Sequence, residues 1–266
     1  MIDVGRVGII GGSGWLGTAI AKALVGSRTI SVEQLTCSFR RGIPENSVNC
    51  HWTGDNSELV KRSDVIVLSV RPDDWRAVDI NADRRLVISV MAGVTVEDIK
   101  QRTGSTRVGR ALPNAAAELG YSYTPFFIDS PEPKDSDTIA TLFRSCGLVD
   151  AVSEEEHIDY FTAMSGSGAA FPALLAEAMM ADAVKRGVPA GIARRAAEQV
   201  MIGAGRLQEV NGLSPADTVK AFVDYKGTTA AGIIAMRQMG FDSTVGAGLD
   251  AAFRKAQALS IRSKED

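Results

Sequence analysis

The chain has 266 residues, enough for one large domain or two modest ones, and either buries enough apolar surface to fold without staples. With 29 Lys and Arg against 32 Asp and Glu its formal net charge is -3, which excludes the broad basic field that drives nucleic-acid binding. Cys37, Cys50 and Cys146 are odd in number and scattered, without the close pairing a zinc site needs, so reduced structural thiols and no metal are expected.

From Met1 the chain enters an apolar stretch with no basic leader, cleavage site or apolar segment of about 20 residues, so a cytoplasmic protein with no membrane partner is expected. Residues 4–11 form an apolar run closed by glycines, as a buried parallel strand requires, and residues 16–24 then recur with helical spacing. Strand-like runs follow at 34–39, 65–70, 86–90 and 107–112, with helix-compatible segments at 56–62 and 94–102. Two later strands, 121–128 and 148–152, flank a helical stretch at 134–145. Strands alternating with helices predict a parallel sheet covered on both faces.

After residue 152 strand-like runs stop and alanine-rich helical segments continue to Ile261, so a first domain over 1–152 and an all-α second domain over 153–266 are expected. Ser153 with Glu156 fits a capping box opening the first of these helices. Gly187-Val188-Pro189 and the stretch from Gly212 to Pro215 supply stops and restarts. The apolar stretches 169–180 and 230–236 exceed what the surface of a small bundle carries, which predicts a homodimer or higher homo-oligomer; a self-contained helical core is the alternative.

Gly12, Gly14 and Gly17 make a G-x-G-x-x-G pattern between the first strand and the first helix. Bare backbone can turn at Gly12, approach a diphosphate at Gly14 and let the helix pack close to the strand at Gly17, with the helix N-terminus facing the phosphates. A Rossmann-type dinucleotide-binding domain is therefore expected, with Gly12, Ser13, Gly14, Trp15 and Leu16 against the cofactor; a glycine-rich turn without a ligand is the bland alternative. An NAD site usually ends its second strand with a carboxylate. Here the strand ends Thr36-Cys37-Ser38-Phe39-Arg40-Arg41, with no acid, so Ser38, Arg40 and Arg41 predict the 2′-phosphate of NADPH, NADH remaining possible. The arginines could equally be solvated loop charges.

Several segments in order resemble pyrroline-5-carboxylate reductases: the glycine pattern, Ser69-Val70-Arg71-Pro72, Ser89-Val90-Met91-Ala92-Gly93-Val94-Thr95, Arg110-Ala111-Leu112-Pro113-Asn114, Ser165-Gly166-Ser167-Gly168-Ala169-Ala170-Phe171, and Gly227-Thr228-Thr229. The resemblance covers nearly the whole chain and implies reduction of a small imine acid. It also implies a helical domain that interlocks with a second copy, the active site forming between nucleotide domain and helices. By position, Asn56 would reach the adenosine ribose, Val70, Pro72, Ala92 and Gly93 would line the nicotinamide pocket, and Asn114 would join the cofactor residues. Thr229 would place its hydroxyl near the imine nitrogen, and backbone at Gly227 and Thr228 would receive the substrate carboxylate. Thr228 and Thr229 could instead simply cap a helix.

The chain departs from that family around the substrate. Ser-Pro-Gly-Gly before the threonines is replaced by Asp224-Tyr225-Lys226-Gly227, Asn-Thr-Pro by Asn114-Ala115-Ala116, and the proline after Ser-Gly-Ser-Gly by Ala169. Lys226 could pair with a second carboxylate or tune imine protonation, and Tyr225 could stack on a ring, which suggests a substrate not identical to pyrroline-5-carboxylate; both could equally point outward. Glu177 and Asp182, five apart on one helical stretch, read as surface charges, and His51 and His157 as structural or solvated. Two rivals stand beside imine reduction: a β-hydroxyacid dehydrogenase, disfavoured because residues 167–180 contain no lysine, and a non-catalytic NADPH-binding protein.

Overall fold

Short runs of valine, isoleucine and leucine build the sheet, because both of its faces are covered and only such residues fill them. In the computed structural model, which describes residues 2–265, eight strands join one sheet: β1 (Val7–Ile10), β2 (Leu35–Ser38), β3 (His51–Thr53), β4 (Val65–Leu68), β5 (Leu86–Ser89), β6 (Arg107–Ala111), β7 (Ser122–Asp129) and β8 (Gly147–Ala151). Their spatial order is β3-β2-β1-β4-β5-β6-β7-β8. Every pairing is parallel except that of β6 with β7, in which Val108 faces Asp129. The chain leaves β1 toward β2 on one side and returns to β4 on the other. This reversal opens a crevice at the carboxyl ends of β1 and β4, where open α/β sheets bind ligands.

Helices cover both faces: α1 (Trp15–Gly26), α2 (Asn56–Arg62), the single turn α3 (Pro72–Trp75), α4 (Val96–Thr103) and α5 (Lys134–Arg144). One apolar cluster gathers Ile9, Ile20, Leu24, Leu35 and Phe143, and another gathers Ile10, Leu59, Ile66, Leu68 and Ile99. Each fully buried aliphatic side chain of this kind contributes roughly 1.5–3 kcal/mol. Asp135 opens the first turn of α5 at 1% side-chain exposure, and Arg107 holds it in a two-pronged ion pair at 2.6 and 2.8 Å.

Beyond β8, α6 (Glu156–Phe161) runs into a π-helical turn, Thr162–Gly166. The capping box expected from Ser153 and Glu156 does not form. The helix starts at Glu156 behind Glu155, no side chain caps it, and the Glu155 carboxylate instead accepts the Val96 N–H at 2.8 Å. The chain divides into two compact units, Met1–Ser167 with Ala251–Asp266, and Gly168–Asp250. The change of architecture thus follows β8, while α6 and the π turn stay in the unit that holds the sheet.

The second unit carries α7 (Ala170–Lys185), α8 (Ala190–Asn211), α9 (Pro215–Asp224), α10 (Thr228–Gln238) and the start of α11 (Phe241–Glu265). Gly212 in the left-handed conformation ends α8, and Ser214 caps α9 by accepting the Asp217 N–H at 3.1 Å. No residue of α7 is buried, and Leu174, Ile202 and Leu207 are 60–63% exposed. Asp182 pairs with Arg186 one turn on, as a surface charge would, and Glu177 is exposed. Among the described residues no helix is long and apolar enough to cross a membrane.

Candidate active site

The glycine loop is shaped by close approaches that no side chain permits. A Cβ at Gly17 would stand 2.5 Å from the Gly11 carbonyl oxygen, and one at Gly12 would stand 2.7 Å from Cys37 Cβ. Backbone therefore meets backbone where the first turn of α1 folds over the end of β1. Gly14 is the N-cap, no side chain caps the helix, and its first turn carries no acid. The amides of Trp15, Leu16 and Gly17 stand at an N-terminus already biased toward anions. A bare cradle of this kind fits a dinucleotide diphosphate.

Three further segments border the loop. Ser69 follows β4, donates its N–H to the Ile10 carbonyl at 2.8 Å, and leads through half-buried Val70 to exposed Pro72, the first residue of α3. Beyond β2, Arg40 is 67% exposed and its Nη1 donates to Asp74 on α3 at 2.7 Å, while Arg41 is exposed. Ser38 is only 4% exposed, and its Oγ accepts the Gly11 N–H at 3.2 Å. It braces the glycine loop from below, and this bond leaves its O–H free to donate. Asn56, half-buried, opens α2 behind Asp55, which accepts the Ser57 N–H at 2.8 Å. His51 meets Glu58 of the same helix at 2.8 Å; Thr53 first and then His51 hold the Glu58 carboxyl below its usual range.

After β5, the loop of residues 91–95 carries Ala92, half-buried, and Gly93, whose φ of +72° is the left-handed conformation glycine adopts without strain. Thr95 then opens α4 through a capping box with Asp98. After β6, Asn114 commits both ends of its amide within the fold. It accepts the Ala116 N–H at 3.0 Å and donates to the Ser165 carbonyl at 3.0 Å. Asn114 therefore ties the loop after β6 to the π turn.

In the second unit, α9 ends at Tyr225, which is 85% exposed, and the next residue, Lys226, sits at φ +57°. A non-glycine residue held there costs roughly 1–2 kcal/mol. Gly227 follows as the N-cap of α10, extended and with no side-chain cap. The hydroxyls of Thr228 and Thr229 are thus not spent on capping, and both residues are exposed. Together they offer uncapped amides and a hydroxyl on one helical turn, suited to a carboxylate and a neighbouring polar atom.

Sequence reasoning missed a buried cluster. Arg110, near the end of β6, has a side chain only 1% exposed, and donates to Glu155, just before α6, at 2.8 Å and to Asp159 of α6 at 2.7 Å. The only available signal was the spacing of the two acids, four apart and hence on one helix face. The neighbouring Cys50 thiol and burial raise the Cys37 thiol, while Cys37 lowers that of Cys50.

A family model described as pyrroline-5-carboxylate reductase dimerisation matches residues 155–259, and one described as NADP oxidoreductase, coenzyme F420-dependent, matches residues 6–93. Pyrroline-5-carboxylate reductase of Synechocystis is 31% identical over 263 residues, spanning 96% of this chain and 98% of the relative. A solved pyrroline-5-carboxylate reductase from Coxiella burnetii superposes with a TM-score of 0.85 at 25% identity, over 97% of this chain and 99% of that one. The Plasmodium falciparum pyrroline carboxylate reductase, solved with NADP bound, shares the fold with a TM-score of 0.81 at 23% identity, over 98% and 100% of the two chains.

Proposed function

This chain belongs to the pyrroline-5-carboxylate reductase family, and from that premise we propose that it uses NADPH to reduce the C=N bond of pyrroline-5-carboxylate, or of an imine acid close to it, to the cyclic amino acid. The observation that carries the reading is the bare glycine cradle at the carboxyl end of β1, joined by the turn just after β2, which carries Arg40 and Arg41 and no acid. Bound NADPH supplies the hydride. The protein's share is to bind, orient and protonate.

Amides from Ser13 to Gly17 receive the diphosphate, Asn56 the adenosine ribose, and Arg40 and Arg41 the 2′-phosphate, with NADH accepted more weakly. Ser38 holds the glycine loop and keeps its O–H for the 2′-phosphate, Asn114 joins the cofactor residues while tying its loop to the π turn, and Val70, Pro72, Ala92 and Gly93 form the walls for the nicotinamide. Reduction of C=N needs a protonated nitrogen and a fixed carboxylate. Backbone at Gly227 and Thr228 takes the carboxylate, and the Thr229 hydroxyl relays a proton or orients a water at the nitrogen, being too weak an acid to protonate alone. Lys226 and Tyr225, at the turn where this chain departs from its family, tune which imine acid is preferred.

Residues 153–266 act as the dimerisation segment, and the exposed leucines and isoleucines of α7 and α8 are covered in a homodimer. The surroundings are cytoplasmic and the partner is a small molecule; the near-neutral charge gives no reason to expect nucleic acid. Steady-state oxidation of NADPH with pyrroline-5-carboxylate, imines bearing a second carboxylate, and a panel of 3-hydroxy acids with NADP tests the assignment. Turnover confined to imine acids is expected. Turnover of hydroxy acids alone would favour the dehydrogenase rival, and binding without turnover the non-catalytic one.

A further inference from the structure

Among the described residues Arg110 is the bulkiest fully buried side chain, and it is charged. Its two terminal nitrogens are taken by Glu155 and Asp159, yet its Nε is buried without any acceptor. As a stabilising device this is poor, because a buried ion cluster often does no better than apolar residues of the same volume, and an unsatisfied N–H adds a further cost. Its connections indicate another use.

Glu155 Oε1 accepts from Arg110 Nη1 and also from the Val96 N–H, each at 2.8 Å. Val96 is the first residue of α4, immediately after the loop of residues 91–95. At the other end of that loop, Met91 donates its N–H to Ser89 Oγ at 3.2 Å, and Ser89 is the register partner of Arg110 across β5 and β6. Both ends of the loop are therefore referred to one rung of the sheet, the near end through Ser89 and the far end through Glu155 and Arg110. Asp159 fixes the second prong of the guanidinium, so Arg110 cannot swing away from Glu155. We propose that Arg110 is a positioning residue that, through Glu155, sets the depth of the loop carrying Ala92 and Gly93 beneath the nicotinamide. This rests on the assignment of that loop to the nicotinamide ring.

The test compares wild type with Arg110→Lys, whose single ammonium cannot span both acids, and with Glu155→Gln, which keeps an oxygen for the Val96 N–H. Two readouts are taken: calorimetric affinity for 2′-phospho-ADP-ribose, which lacks the nicotinamide, and the fluorescence enhancement of the dihydronicotinamide when NADPH binds. The expected result is fragment affinity unchanged within about twofold, at least half of the fluorescence enhancement lost in Arg110→Lys with a smaller loss in Glu155→Gln, and kcat down about tenfold. Enhancement retained in both variants, or fragment and whole cofactor weakened alike, overturns the positioning role. Should Arg110→Lys not fold, Glu155→Gln decides by the same criteria. A wild type with no enhancement overturns the loop's assignment to the nicotinamide and this role with it.

Discussion

Replacing Arg40 by alanine separates the two nicotinamide nucleotides by a calculable margin. A charge-assisted hydrogen bond to a phosphate contributes about 1.5–3 kcal/mol. Arg40 is already paired with Asp74 at 2.7 Å, at 67% and 36% side-chain exposure, and such a pair is worth at most about 1 kcal/mol. Binding a 2′-phosphate forgoes part of that pair, so the net loss in Arg40→Ala is about 1–2 kcal/mol, or roughly 5- to 30-fold in NADPH affinity. NADH affinity changes by less than about twofold. Asp74→Ala frees the guanidinium and tightens NADPH by up to about fivefold. Calorimetric titration of the three proteins with both nucleotides measures this. Equal losses for NADPH and NADH in Arg40→Ala, or weaker NADPH binding in Asp74→Ala, would refute the assignment of the phosphate site.

Gly17→Ala puts a methyl into the Gly11 carbonyl, a backbone contact at 2.5 Å that cannot yield cheaply, and should weaken NADPH at least tenfold with about 1–3 kcal/mol of destabilisation; unchanged dissociation constants would contradict the cradle. Thr229→Val removes a hydroxyl that caps nothing, so melting and NADPH binding should hold while kcat/KM falls about 100-fold, and a parallel fall in thermal stability would point to a structural role. Asp135→Asn strands Arg107 and should cost about 3 kcal/mol near neutrality. Burial raises the Asp135 carboxyl, but Arg107 and Ser130 outweigh it and hold it below the ordinary aspartate range. Its contribution is thus complete above that range and is lost as pH falls through the depressed value, so denaturant curves of the two proteins should converge in acid and stay apart at neutral pH.

Where a segment is long and periodic, local sequence suffices. The helix read at 56–62 ends where α2 ends, and the runs at 65–70 and 86–90 contain β4 and β5. β3 escaped because three residues, His51 to Thr53, carry no period; it exists because Cys37 of β2 aligns with Trp52. The antiparallel join of β6 and β7 is likewise a tertiary choice, since apolar runs do not encode strand direction. At the site, the tight glycine loop and the charged turn at Arg40 and Arg41 were legible because backbone crowding and charge can be read locally. Ser38 and Asn114 were legible as polar groups, but the bonds by which Ser38 accepts from Gly11 and Asn114 donates to Ser165 are tertiary and were not. Arg110 lies 45 residues from one of its acids and 49 from the other, beyond any local pattern.

The most direct trial of imine reduction by this chain is isotope transfer. Pyrroline-5-carboxylate is incubated with the enzyme and NADPH deuterated at the reactive nicotinamide carbon, and the product is examined by mass spectrometry. The account predicts proline carrying one deuterium on the former imine carbon, formed in step with NADPH consumed. Consumption of NADPH without labelled cyclic amino acid, or no consumption with this or any related imine acid, would contradict it.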